Sequence, residues 1–94
     1  MTFVLVRFTV EDIAKWKPAF EEAGTLRKKF GSMGARAFSK ADNPNEVVIL
    51  GEYESREKAQ QMFQSQEFRE ATKRAGVLSP PEVSFLDEVV QLSA

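Results

Sequence analysis

Residues 46–53 read Glu-Val-Val-Ile-Leu-Gly-Glu-Tyr, the densest run of β-branched and aliphatic residues in the chain. Such a run predicts a strand. Before it, Asp42-Asn43-Pro44-Asn45 predicts a turn, because proline fixes φ and Asn and Asp side chains bond their own backbone. After it, Ser55 predicts a helix N-cap. Apolar residues fall on both faces of the strand, so both faces need cover. The run therefore predicts a central strand with helices against one face and a second layer against the other.

Three further elements are predicted on the N-terminal side of this strand. Thr2 to Val10 is almost continuous in β-forming residues and predicts a first strand. Apolar residues at spacings of three and four then predict a helix that ends at Gly31. Proline inside this pattern predicts an initial turn over 12–16 and a main helix that begins near Pro18, where a missing N–H does no harm. Residues 35–40 alternate as a half-exposed strand does.

The C-terminal half predicts two consecutive short helices and a last strand. The first helix covers Ser55–Gln64, and the apolar stripe shifts phase at Ser65, which predicts a second N-cap there and a helix end at Gly76. The last strand is predicted over Val83–Leu92. The order β-α-β-β-α-β predicts one α+β, ferredoxin-like domain over residues 1–94, with a four-stranded antiparallel sheet and the helices on one face.

The helix-free face of that sheet is predicted to be apolar. Its apolar residues are Phe3, Leu5, Phe38, Val48 and Leu50. A chain of 94 residues has little material left to cover them, and the natural cover is the same face of a second copy. The sequence therefore predicts a homodimer in which this face of one chain covers the same face of the other.

Composition excludes several classes of function. Lys plus Arg number 13 against 14 Asp plus Glu, so the basic excess of a nucleic-acid binder is absent. The chain has no His and no Cys, which excludes Ser-His-Asp triads, thiolate chemistry and His-ligated zinc or haem. No apolar run approaches the roughly 20 residues of a membrane span, and the N-terminus does not resemble a signal peptide. We therefore expect a soluble, cytoplasmic protein with no metal, no cofactor, no nucleic-acid partner and no membrane partner.

An aromatic set at helical spacing is the main candidate for a small-molecule site. It consists of Trp16, Phe20, Phe63 and Phe68. Such a set is more often plain core than pocket, although one set can serve both purposes. Both helices are interrupted, and imperfect packing beside large rings is where a cleft can open. If a pocket exists, we expect it between the first helix and the sheet, with Arg7 or Tyr53 as its polar group.

Arg7 and Tyr53 each have a structural and a functional interpretation. A guanidinium in mid-strand needs a partner, and Glu52, Asp87 and Glu88 are the candidates for an ion pair at the dimer interface. The alternative is that Arg7 binds an anion. Tyr53 is the only phenol and could act as a donor or proton carrier, or could simply pack. The cations of the segment 27–29 are interpreted as a solvated helix end.

The chain resembles the dimeric α/β-barrel superfamily, which includes the antibiotic-biosynthesis monooxygenase-like proteins. The resemblance is carried by Arg7, Val10-Glu11-Asp12, Trp16, Phe20, Arg27, Asp42-Asn43-Pro44, Ala59, Phe63, Ser65, Ala75-Gly76-Val77 and Pro80-Pro81. It implies two ferredoxin-like chains packed sheet to sheet, and a fold that hosts monooxygenases, haem-using enzymes and isomerases. Close relatives often carry His where this chain has Phe8, so an obvious proton carrier of those relatives is missing here.

Two functions from different classes remain open. The first is a small homodimeric barrel protein that binds a small apolar or aromatic molecule. The alternative is a cofactor-independent monooxygenase or related small-molecule enzyme, in which an electron-rich aromatic substrate reacts with O₂ itself. Trp16, Tyr53 and Arg7 would then orient the substrate and stabilise its anion in a dry pocket. The missing histidine favours the first function, and the sequence leaves open whether the protein is an enzyme.

Overall fold

A four-stranded antiparallel sheet with the strand order β2-β3-β1-β4 organises the structure, a computed structural model that describes residues 1–94. The elements in chain order are β1 (Thr2–Thr9), α1 (Ile13–Glu22), α2 (Gly24–Lys29), β2 (Ser32–Lys40), β3 (Asn43–Tyr53), α3 (Arg56–Gln64), α4 (Gln66–Arg74) and β4 (Glu82–Leu86). All helices lie on one face of the sheet. The predicted ferredoxin-like α+β fold is confirmed.

The strand over residues 46–53 is central, as predicted. It belongs to β3, which pairs along its length with β1 on one side and β2 on the other. Val47 and Tyr53 are buried on the helix face, whereas Val48 and Leu50 are only half-buried on the opposite face. The alternation of side chains along a strand therefore produces two different apolar surfaces from one run of residues.

The first helical segment passes through its proline without a break. Asp12 caps α1 by accepting a hydrogen bond from the backbone N–H of Ala14 at 2.9 Å, and the helix continues past Pro18 to Glu22. The prediction of a separate turn over 12–16 and a new helix near Pro18 was wrong. Ring contacts made by residues on both sides of the proline hold the helix together, and tertiary packing overrides the local cost of proline.

The break in this segment falls at Ala23 instead. Ala23 has a ψ of 0° and separates α1 from α2, which begins at Gly24. Backbone N–H groups of Ala23 and Arg27 still donate to residues four positions earlier, so the interruption is one residue long. Glycine is a poor helix former, which favours an interruption beside Gly24. The second break, at Ser65, lies where the sequence predicts it. The hydroxyl oxygen of Ser65 accepts from the backbone N–H of Phe68 at 3.1 Å, and Gly76 ends α4 with a φ of +77°.

Two predicted boundaries shift in the sheet. The β2–β3 hairpin turns over residues 41–42, and Pro44 lies within β3 at an irregularity in the pairing, where its missing N–H is tolerated. The last strand ends at Leu86 rather than Leu92. Leu86 pairs with Phe3, close to the start of β1, so the chain beyond it has no neighbouring strand to extend along.

Apolar side chains between the helices and the sheet form two adjoining core clusters. One consists of Val4, Val6, Tyr53, Ala59 and Met62, and the other of Phe8, Val10, Trp16, Val47 and Ala75. Only 11 of the 94 residues are buried. No helix covers the other face of the sheet, where Glu88, Val90 and Gln91 line a surface hollow together with Phe3 and Leu50. On that face, Phe38 is 49% exposed and Leu86 is 38% exposed. None of the four helices has the length and hydrophobicity that a membrane-spanning helix requires.

Candidate functional site

A cavity lies between the helices and the sheet, where the two core clusters meet. Its volume is about 80 Å³. A single water molecule needs roughly 10–15 Å³ of such free space, so the cavity has room for several waters or a small molecule. Hydrophobic residues make up 17 of the 21 that line it. Five of the six predicted site residues share this wall, namely Trp16, Phe20, Tyr53, Phe63 and Phe68.

One side of the cavity is walled by aromatic rings carried on α1. Trp16 and Phe20 lie one helical turn apart, so their side chains project from the same face. The two rings stack with centroids 4.7 Å apart, and Trp16 also contacts Phe8 of β1 with centroids 5.7 Å apart. Trp16 is only 5% exposed. These contacts hold a flat apolar surface in a fixed orientation.

The opposite side is walled by Phe63 of α3 and Phe68 of α4. In one continuous helix, side chains five residues apart would point about 140° away from each other, because each residue turns about 100°. The break at Ser65 starts a new helix and brings both rings to the cavity, where they meet edge to face with centroids 5.1 Å apart. The serine cap therefore places part of the cavity wall.

Tyr53 supplies a hydroxyl group at the cavity wall. It lies at the end of β3 and is 3% exposed, with its ring centroid 6.3 Å from that of Phe63. Its hydroxyl donates to the Sδ atom of Met62 at 3.4 Å. A thioether sulfur is a weak acceptor, so an oxygen atom of a ligand would be a stronger partner for this hydroxyl.

Arg27 is a cavity residue that the sequence interpretation missed. Its guanidinium lies 4.0 Å from the centroid of the Phe20 ring, and its Nη1 donates to the backbone oxygen of Phe20 at 2.9 Å. The sequence places it in a basic run at a helix end, which suggests a solvated cation. The signal that identifies it is spacing, because Arg27 follows Phe20 by seven residues and Trp16 by eleven, in line with the apolar stripe.

Burial shifts the pKa values of both polar groups. Loss of hydration raises the pKa of Tyr53 above its ordinary value of 10.0, and the nearby charge of Arg27 offsets part of that rise. Loss of hydration lowers the pKa of Arg27, and interaction with Tyr53 opposes that change. At neutral pH the pair therefore consists of a neutral phenol donor and a guanidinium cation. Such a pair is complementary to an oxygen atom that carries negative charge.

Few other polar groups reach the cavity. The hydroxyl of Thr72 lies at its wall and already donates to the backbone oxygen of Arg69 at 2.9 Å. Elsewhere in the chain, no group of three or more acidic side chains converges in a way that could hold a metal ion. Tyr53 and Arg27 are therefore the main polar side chains at the cavity wall.

We expect the phenol of Tyr53 to ionise only above pH 10 in the folded protein. Because the folded state holds the phenolic proton more tightly, stability falls as the pH rises above 10.0, the ordinary value. Tyr53 is the only tyrosine, so tyrosinate absorbance during a pH titration reports it alone. In denaturant, the pH at which half of the tyrosine is ionised should return to about 10. A midpoint at or below the ordinary value in the folded protein would contradict the burial described here.

Arg7 lies on the other side of the sheet from the cavity. It is exposed on the helix-free face, where it pairs in register with Val48 of β3 and Glu82 of β4. Within the chain it forms none of the three ion pairs, and its predicted partner Glu52 lies opposite Phe3 instead. Of the two polar groups predicted for the pocket, the structure therefore places only Tyr53 there.

The fold and the cavity together define a class of protein: a small ferredoxin-like domain with an aromatic-lined pocket between its helices and its sheet. A family model described as antibiotic biosynthesis monooxygenase matches residues 1–74. The chain belongs to this family. No curated protein sequence matches it significantly.

Solved structures share this fold at low sequence identity. A candidate antibiotic biosynthesis monooxygenase from Bordetella bronchiseptica is 18% identical, with a TM-score of 0.82 over 95% of this chain and 97% of that one. SnoaB, a cofactor-independent oxygenase from Streptomyces nogalater, is 14% identical, with a TM-score of 0.80 over 99% of this chain and 97% of that one. A candidate family member from Nitrosomonas europaea is 16% identical, with a TM-score of 0.71 over 96% and 100% of the two chains. At these identities the similarity establishes the fold.

Proposed function

We propose that this protein binds a small, flat aromatic molecule that carries an acidic oxygen, with the rings in the cavity. The observation that carries the proposal is the presence of Tyr53 and Arg27 at a wall that is otherwise mostly aromatic and aliphatic. Pockets for small molecules are mostly apolar and use a few placed polar groups to orient the ligand. This cavity has that composition.

The shape and polarity of the wall limit the ligand class. The stacked rings of Trp16 and Phe20 present a flat surface, which suits a planar ring system. A sugar or a nucleotide would bring many hydroxyl or phosphate groups that the wall leaves without partners, and each unpaired polar group costs about 1–3 kcal/mol. One ionised phenol, enol or carboxylate oxygen, in contrast, would meet the hydroxyl of Tyr53 and the cation of Arg27.

Titration with planar phenols and aromatic acids should change the emission of Trp16, the only tryptophan, and should raise the melting temperature. The Trp16→Phe variant is the silent control, and Phe63→Trp in that background restores a reporter on the opposite wall. Neutral aliphatic compounds of similar size should have little effect. If a diverse set of aromatic compounds changes neither emission nor melting temperature, the aromatic set is plain core and the proposal fails.

Oxygenation without a cofactor is a second candidate function. It is supported by membership of the family and by the fold shared with SnoaB, which is a cofactor-independent oxygenase. In such a reaction the substrate is the reductant: a methylene carbon becomes a carbonyl, one atom of O₂ enters the product and the other leaves as water with the two hydrogens. Tyr53 and Arg27 would stabilise the anion that reacts with O₂. Oxygen uptake with the compounds that bind in the titration separates binding from turnover.

We also propose that the protein is a homodimer whose interface is the helix-free sheet face. Phe3, Leu5, Val48 and Leu50 are half-buried and Phe38 is half-exposed on one continuous surface. Soluble monomers rarely leave such a patch uncovered, and a self-complementary pairing of two copies would bury it. The cavity lies on the other side of the sheet, so each protomer would keep its own cavity.

A further inference from the structure

A groove on the outer surface lies between α1, α2 and α4. Its volume is about 330 Å³, and seven residues line it. Four of the seven also line the cavity: Ala19, Ala23, Leu26 and Ala71. All four are half-buried. The same side chains therefore form the cavity wall on one side and the groove wall on the other.

This shared wall is thin because three of its four side chains are single methyl groups. It also coincides with the break in the first helical segment, since Ala23 separates α1 from α2. The ends of two helices meet there rather than one continuous helix. A small shift of α2 relative to α4 would open a passage that larger side chains would block.

Two other surface hollows do not offer a comparable route. The hollow around Arg7 shares only Phe8 with the cavity, and the hollow beside the C-terminal residues shares only Ala35 and Gly51. Phe8, Ala35 and Gly51 lie in β1, β2 and β3, so the paired backbone of the sheet separates these hollows from the cavity.

We propose that small molecules enter the cavity through this groove, and that Ala19, Ala23 and Ala71 set the width of the entrance. The proposal rests on the ligand site proposed above. It adds a role for three alanines that would otherwise be ordinary packing residues. The rim carries one acid, Glu22, and one base, Arg74, which form no ion pair with each other.

Acrylamide quenching of Trp16 tests the entrance without the need for a specific ligand. Because Trp16 is only 5% exposed and lines the cavity, a small quencher should reach it chiefly from the cavity. The natural chain has no cysteine, so Ala71→Cys can be labelled at one site with a bulky group held by a disulfide. We expect the label to lower the quenching constant at least about twofold, since it narrows a path through a packed interior. Reduction of the disulfide should restore the original value.

Glu70→Cys with the same label is the matched control, because Glu70 is the exposed neighbour of Ala71 and does not line the cavity or the groove. Quenching that is equal in the two labelled variants would overturn the proposal. Ala23→Leu narrows the same opening without a label and gives an independent result if labelled Ala71→Cys fails to fold. Undiminished quenching in a folded Ala23→Leu variant would likewise count against the entrance.

The outcome is separable from that of the proposed function. If acrylamide is blocked but no aromatic compound binds, the entrance stands and the proposed ligand fails. If aromatic compounds bind but blocking the groove leaves quenching unchanged, the ligand site stands and the entrance lies elsewhere. If the ligand site and the entrance are both supported, the label should slow association and dissociation of the aromatic probe by similar factors. The reason is that the probe enters and leaves through the same passage.

Discussion

Leu5→Glu is expected to convert the protein to monomers or to unfold it. Leu5 lies in the middle of the helix-free face and pairs in register with Leu50 of β3 and Ser84 of β4. In the proposed dimer it is covered by the second copy, and an unpaired buried carboxylate costs several kcal/mol. Light scattering behind a sizing column gives the mass, and circular dichroism shows whether the fold survives.

Leu50→Glu should also destabilise the dimer, but by less than Leu5→Glu does. Leu50 pairs in register with Arg36 of β2, so a glutamate at this position could find a cation beside it. Gln60→Glu on the exposed side of α3 is the matched control and should leave the dimer intact. A wild-type protein that is monomeric at micromolar concentration, or a Leu5→Glu variant that remains a folded dimer, would show that this face is not the interface.

The local signals in the sequence predict most of the fold. The alternation of side chains along β3 depends only on neighbouring residues, and the structure shows it as predicted. The same holds for the helix caps at Ser55 and Ser65. The features that were mispredicted depend on distant residues. Helix α1 continues through Pro18 because of ring contacts with the sheet, and β4 ends where β1 stops offering partners.

The site is predicted in part, for similar reasons. Helical spacing identifies the aromatic wall, although it cannot tell a filled core from a cavity. Arg7 lies two residues after Leu5 and four after Phe3 in β1, so all three side chains lie on the same face of the sheet. The cavity residues lie on the other face, and alternation alone therefore excludes Arg7 from the cavity. Arg27 was missed because a basic run at a helix end has a sufficient explanation in solvation, and that explanation was preferred to the spacing that aligns Arg27 with the apolar stripe.

Arg27→Met is expected to weaken binding of aromatic acids by roughly 10–100-fold, because hydrogen bonds to a charged group contribute about 1.5–3 kcal/mol. Methionine keeps an unbranched stem that can still pack on Phe20, so the variant removes the charge and its donors with little loss of apolar contact. Affinity is measured by the emission of Trp16 for an aromatic carboxylate and for its neutral amide.

The comparison of the two probes isolates the charge of Arg27. The amide should bind the variant and the wild type about equally, since neither complex contains a charge pair. Lys28→Met is the matched control, because Lys28 follows Arg27 in α2, is exposed, does not line the cavity and changes the net charge by the same amount. If both variants lose carboxylate affinity equally, the effect is a long-range field and not a contact. If neither loses it, the acidic oxygen is not held by Arg27, and the ligand class proposed here is wrong.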